Sequence, residues 1–303
     1  MAKGYNQRAG IDYDEVFALV ARLETVRLII SLAAQNKWRI HRMDVKSAFL
    51  NGVLEEEVYI EQPQGYEVKG EEDKVLRLKK ALYGLKQAPR AWNARIDKYF
   101  KGRGFIKCPY EHALYIKIQN DDILIVCLYV DDLIFTGSNP SMFEEFKKEM
   151  TKEFEMTDIG FMSYYLGIEV KQEDHGILIS QEGYAKEVLK KFKMDDSNPV
   201  STPMECGIKL SNHEEGEKVD PTLFKSLVGS LRYLTCTRPD ILYAVKVVIR
   251  RMEHPTTTHL KAVLLQNKDS TTLKNRCGMI LQRLSSVVES CVVEASATLK
   301  YPL

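Results

Sequence analysis

The feature that most constrains this chain is an uninterrupted apolar run, Ile123 to Val130, broken by Asp131-Asp132 and resumed at once by Leu133-Ile134-Phe135. Eight residues are far too few for a membrane helix, which needs about 20. Richness in β-branched side chains instead predicts a strand buried on both faces. The two aspartates then fall at a turn, and the chain doubles back. Upstream, Leu114, Ile116 and Ile118 alternate with Tyr115 and Lys117 and are followed by the turn residues Asn120-Asp121-Asp122. This arrangement predicts two hairpins in succession. Charges set beside so apolar a strand are costly unless a cation or a partner meets them.

Helical spacing marks the elements around that sheet. Leu23, Val26, Ile29, Ile30 and Ala33 define a helix over 22–35, and Trp92, Ile96, Tyr99 and Phe100 define another that stops near Gly102 and Gly104. Trp38 and Ile40 predict a short strand ending near Asp44. Ser141 and Glu144 match a capping box opening a helix over 141–155. Tyr164 to Val170 and Ile177 to Ser180 read as strands, and Tyr184, Val188 and Phe192 as a helix. Two more helices are predicted around Phe224 to Leu234 and Ile241 to Met252, after a proline-containing linker at 198–220.

Composition removes several classes. With 45% hydrophobic and 28% charged residues the chain has material for a core and is not a disordered tail. Its N-terminus lacks the apolar stretch of a signal peptide, and its six cysteines include no pair closer than 14 positions. That spacing provides neither a CxxC metal-ligand pair nor a dense disulfide framework, so an intracellular, reducing location is expected. A formal net charge of +1 hides local extremes. Eight acidic residues and one basic lie between Glu55 and Asp73, whereas ten basic and one acidic lie between Leu76 and Lys107. The second stretch is either a solvated face or a surface facing phosphates.

The chemistry rests on carboxylates. Asp121-Asp122 and Asp195-Asp196 have ordinary turn contexts, but Asp131-Asp132 follows the apolar run, and Asp44 also ends a strand. Adjacent carboxylates at strand ends suit a hard cation. His112, His175 and His254 have no spaced partner and are expected to be surface or internally satisfied histidines.

Longer segments narrow the reading. Tyr129-Val130-Asp131-Asp132 resembles the metal-binding tip of reverse transcriptases, and the stretch from Met43 to Gly52, with Asp44-Val45-Lys46-Ser47-Ala48-Phe49 inside it, resembles their first aspartate motif in its copia-type form. Leu82-Tyr83-Gly84-Leu85-Lys86-Gln87-Ala88-Pro89-Arg90-Ala91-Trp92 is similar to the copia-type segment that meets nucleotide and template. Lys3 to Gln7, Tyr164 to Val170 and Ser226 to Leu234 are similar in the same order, so the resemblance covers residues 2–262. It identifies the chain as a member of the copia-type long-terminal-repeat retrotransposon reverse transcriptases.

That resemblance implies an α+β right-hand polymerase. Fingers would occupy 1–37 and 51–88, the palm, with its antiparallel sheet, 38–50 and 89–176, and a helical thumb 177–262, with 263–303 a divergent tail. It implies RNA-directed DNA polymerase activity with two Mg²⁺ ions, Mn²⁺ being a possible substitute. Asp44, Asp131 and Asp132 would be the catalytic carboxylates, and the Val45 backbone carbonyl would complete part of the metal shell. Phe49 would gate the ribose 2′-position and Gln87 would lie near the nucleotide sugar. Lys86, Arg90, Tyr165, Leu166 and Gly167 would meet the template-primer. The implied partners are deoxynucleoside triphosphates and an RNA or DNA template with its primer, with no membrane.

Departures set the alternatives. The family's basic segment would lie before Met1, Leu19 replaces a common proline, and Lys246 and Arg251 enter a helix spaced for burial. The tail leads to no ribonuclease H region, and no integrase region accompanies it, so an impaired polymerase is expected. A non-catalytic remnant that at most binds nucleic acid is the alternative. A metal-dependent nuclease would use the same ions but leaves Phe49, Gln87 and the motif order unexplained.

Overall fold

The apolar run lies at the middle of a six-stranded antiparallel sheet. The computed structural model describes residues 2–18, 20–196, 217–250, 252–253, 255–257 and 259–260. Met1, Leu19, most of the 198–220 linker, Arg251, His254 and the 263–303 tail lie outside the described residues. The described residues form two units, one of 2–162 with 174–176 and one of 163–173 with 177 onward.

In the first unit the strands are β1 (His41–Val45), β2 (Tyr59–Ile60), β3 (Leu76–Arg77), β4 (Ile106–Lys107), β5 (Leu114–Gln119), β6 (Asp122–Tyr129), β7 (Asp132–Gly137) and β8 (Met156–Phe161). Their main sheet runs β4-β5-β6-β7-β1-β8, while β2 and β3 form a separate ribbon. Three helices accompany them: α1 (Leu23–Asn36), α2 (Ala88–Gly102) and α3 (Pro140–Glu153). Side chains alternate across a strand, so Leu124, Val126, Leu128, Leu133, Phe135, Met43 and Val45 share a core with Trp92, Ile96 and Phe100 of α2 and Phe143, Phe146 and Met150 of α3. The intervening Ile125, Cys127 and Ile134 are buried too, and α1 contacts β7. Double-sided burial explains why this segment has no polar alternation.

Three local expectations change. Helix α3 starts at Pro140, with the Asn139 side chain accepting from the Ser141 N–H, so Asn139 and not Ser141 is the cap. Proline at the first helical position loses no bond there, which favours the earlier start. Strand β8 had no apolar signature, because it is an edge strand with most of its residues exposed. The expected single strand over 164–170 is instead a tight turn between two strands.

That turn belongs to the second unit, with β9 (Tyr164–Tyr165), β10 (Ile168–Glu173), β11 (Gly176–Ser180), α4 (Glu182–Lys191), α5 (Pro221–Leu234) and α6 (Leu242–Ile249). Strands β11, β10 and β9 make a three-stranded sheet. Leu166 and Gly167 both have positive φ, 48° and 78°. The Tyr233 hydroxyl of α5 donates to the Leu166 carbonyl at 2.5 Å. A Cβ on Gly167 would lie 1.7 Å from that hydroxyl, so glycine is required by the approach as well as by the backbone. Helices α5 and α6 pack through Phe224, Leu227, Leu231, Val245 and Val248. Among the described residues no helix is long and apolar enough to cross a membrane.

Phe100 is fully buried, its ring stacked among Phe105, Tyr115 and Phe146. Phe100→Ala is expected to lower the stability of the first unit by about 3 to 5 kcal/mol, read by urea unfolding. A loss within about 0.5 kcal/mol, the range of a surface substitution, would mean that this aromatic cluster does not hold the sheet to its helices.

Candidate active site

Strand register brings the two aspartate segments together. β1 pairs antiparallel with β7 so that Asp44 lies directly opposite Asp132. Tyr129 pairs with Asp132 across the β6–β7 hairpin, which leaves Val130-Asp131 as a two-residue turn. The Val45 N–H donates to the Asp131 carbonyl at 2.9 Å, tying that turn to the end of β1. Asp121, by contrast, turns at the opposite end of β6, about 26 Å away for a strand of this length. Asp122 there accepts from Ser138 and Asn139, which is a structural use of a carboxylate.

Electrostatics distinguishes the three acids. Burial first, and then the charges of Asp131 and Asp132, push the Asp44 carboxyl above the usual carboxylate range, against the opposing pull of Arg42. Arg42 lies two residues before Asp44 on the same strand face. Its Nη2 and Nε both reach Asp132 Oδ1, at 2.7 and 2.9 Å. Asp132 is therefore engaged by a guanidinium, and among the described residues no three Asp, Glu, His or Cys side chains converge on one point as a ready ion cage. Hard carboxylate oxygens are the donors a divalent cation takes, so Asp44, Asp131 and Asp132 are the side chains here that could hold one, with Asp132 also bonded to Arg42. Arg42 was not picked out in the sequence, although a period-two count from Asp44 places it on the same face.

Phe49 sits in a short 3-10 turn, Ala48–Asn51, entered through Ser47 at φ 51°. Gly52 closes it against α2 so tightly that a Cβ would come 2.7 Å from the Trp92 nitrogen. The half-buried Phe49 ring lies 4.4 Å from that of Tyr83, tilted by 40°. Burial first, and then the charge of Asp131, raise the Tyr83 phenol above its ordinary value. Its hydroxyl also meets the main chain of Ala48 and Phe49. The sequence reading did not single out Tyr83 beyond its motif.

Gln87 has a different surrounding from the one expected. It is 1% exposed. Its Oε1 accepts from Gln7 at 3.1 Å and its Nε2 donates to the Asp12 carbonyl at 3.0 Å. Both ends of the amide thus anchor the N-terminal segment and are not turned to a ligand. The Gln7 oxygen also accepts from the N–H of Lys86, whose side chain is exposed.

The basic stretch is partly neutralised from within. Arg77 pairs with Glu57, Arg90 with Glu15 and Glu56, Arg95 with Glu153, Arg103 with Glu149, and Lys101 and Lys107 share Asp97. Lys79, Lys80, Lys86 and Lys98 have no ion pair among the described residues. Tyr165, Leu166 and Gly167 are in the β9–β10 turn of the second unit, with Tyr165 buried.

A raised carboxyl pKa means that ionisation opposes folding. The cost is absent below the ordinary carboxylate range and grows as pH rises through the elevated value. In divalent-free buffer at neutral pH, Asp44→Asn is expected to raise the thermal midpoint, and the difference should vanish toward pH 3. A midpoint lowered at neutral pH would show that Asp44 is a stabilising group.

A family model described as reverse transcriptase (RNA-dependent DNA polymerase) matches residues 1–206. The chain is 40% identical over 273 residues to the retrovirus-related Pol polyprotein of transposon TNT 1-94 from Nicotiana tabacum, covering 87% of this chain and 21% of that protein. It is 39% identical over 263 residues to the corresponding polyprotein of transposon RE1 from Arabidopsis thaliana, covering 87% and 18%. It is 33% identical over 244 residues to a putative transposon Ty5-1 protein of Saccharomyces cerevisiae, covering 78% and 79%. The chain spans about a fifth of the plant polyproteins it matches. With the motif order and the family match both in place, the chain belongs to the reverse transcriptase family, among relatives that are Pol polyproteins of copia-type transposons.

Proposed function

We propose that this chain is an RNA-directed DNA polymerase domain that joins deoxynucleoside triphosphates to a primer 3′-hydroxyl. The observation that carries the reading is the register of β1 against β7, which puts Asp44 beside the Asp131-Asp132 turn. In the reaction the primer oxygen bonds to the α-phosphorus, the α–β anhydride breaks, pyrophosphate leaves and the hydroxyl proton is released. Two Mg²⁺ ions, or Mn²⁺ in their place, supply stabilisation of the attacking and leaving oxygens when bound. Asp44 and Asp131 are the residues that would hold them, together with the Val45 carbonyl. Asp132, held by Arg42, keeps a further negative charge beside that pair.

The six-stranded sheet with α2 and α3 would be the palm of a right-hand arrangement, and α4 to α6 would belong to the thumb. Phe49, braced by Tyr83, lies five residues beyond Asp44, where a ring would crowd a ribose 2′-hydroxyl. Gln87 would act from behind that wall by fixing the N-terminal segment. Lys79, Lys80 and Lys86, which have no ion pair among the described residues, would meet phosphates. Arg90 would do so only by exchanging its glutamate partners. The Tyr165–Gly167 turn would support the primer end.

Extension of a primed homopolymer template with Mg²⁺ tests the reading. The chain should extend the primer, and Asp131→Asn should reduce the rate by about 10²-fold or more, as loss of a transition-state stabilising group does. No extension by the unsubstituted chain, combined with retained nucleic-acid binding, would favour a non-catalytic binding protein instead. Phe49→Val should raise ribonucleotide use relative to deoxynucleotide use. An unchanged ratio would make Phe49 a packing residue only.

A further inference from the structure

The turn that carries Asp131 has an unusual residue at its first position. Val130 has φ 57°, and it is the one β-branched residue with positive φ among the described residues. Asp131 has no positive φ, so the turn follows the type II′ pattern, in which the first position ordinarily goes to glycine. The Asn120-Asp121 turn at the other end of β6 has positive φ at both positions and uses residues that tolerate it. Something must hold Val130 in a conformation its side chain disfavours.

The adjacent helix supplies it. Trp92 of α2 is 2% exposed, and its indole Nε1 donates to the Val130 carbonyl at 2.6 Å. The ring is fixed by an edge contact with Phe154, centroids 5.4 Å apart at 85°. Its backbone is pressed against the segment that follows Phe49, at Gly52. The next carbonyl, that of Asp131, accepts from Val45 N–H. Successive carbonyls of the turn are thus tied to α2 on one side and to β1 on the other.

We propose that Trp92 is a positioning residue for catalysis, its indole N–H locking the Val130-Asp131 turn in a strained conformation that aims the Asp131 carboxylate toward Asp44. The functional half of this proposal rests on the polymerase reading above, but the lock itself does not. A buried indole needs an acceptor in any case. What distinguishes a lock from simple satisfaction is that its acceptor is the strained residue itself.

The test uses the full chain and two readouts. Trp92→Phe keeps an aromatic ring against Phe154 and removes the donor. Amide hydrogen exchange at Val45, which reports the bond to Asp131, should accelerate by about tenfold or more, while exchange along Leu114–Gln119 stays as it was. In primer extension kcat should fall roughly 10- to 100-fold, as loss of an orienting partner does, with the nucleotide KM changed by less than about twofold. In a Val130→Gly background, where positive φ needs no lock, the same substitution should have little effect on Val45 exchange. Benzothienylalanine at position 92 in a Trp38→Phe background gives the same reading without a change of ring volume. Unchanged Val45 exchange, or equal acceleration in both backgrounds, would overturn the proposal. Accelerated exchange in a chain that never extends a primer would support the lock and overturn the polymerase reading.

Discussion

Everything at the candidate site depends on one register, the antiparallel pairing of β1 with β7 that sets Asp44 opposite Asp132. Side chains alternate on a strand, so a slip of one residue would send Asp44 to the other face and bring Met43 to the acidic turn. The register is held by burial. Met43 and Val45, on either side of Asp44, are 0% and 1% exposed in the core shared with α2 and α3. A slip would move both side chains out of that core at a cost of several kcal/mol, since each buried aliphatic side chain contributes about 1.5 to 3 kcal/mol. The same apolar contacts that fold the sheet therefore aim its acids.

The acids work against the fold that aims them. Asp44 is desolvated and faces two like charges, which raises its pKa, and Arg42 offsets only part of that repulsion. Carboxyl groups perturbed in this way cluster at functional sites. Arg42 gives the corner a second feature, since its guanidinium bonds Asp132 while its charge also acts on Asp44. The Phe49 and Tyr83 rings pack 4.4 Å apart, and the Tyr83 phenol feels the charges of Asp131 and Asp44.

Much of this was legible beforehand for identifiable reasons. Helical periodicity located α1 and α2, because burial at Ile29 or Ile96 leaves a repeating signature, and the unbroken apolar run from Ile123 to Val130 located the central strand. Edge strand β8 has most of its residues in solvent and left none. The split of the 164–170 segment depends on Leu166 adopting positive φ beneath the Tyr233 hydroxyl, a contact 67 positions away that local patterns do not carry. The partners of the Gln87 amide were illegible for the same kind of reason, since they lie in the remote segment of Gln7 and Asp12. The acidic partners of the basic stretch from Leu76 to Lys107 were equally illegible, because most of them, such as Glu15, Glu149 and Glu153, lie far along the chain.

The proposed divalent-cation site at Asp44 and Asp131 is open to direct titration of the chain with Mn²⁺, followed by the loss of the free-ion paramagnetic signal. The unsubstituted chain should bind the ion and Asp44→Asn and Asp131→Asn should lose it, with Asp132→Asn much less affected. Identical titration curves for the unsubstituted chain and Asp131→Asn would contradict it.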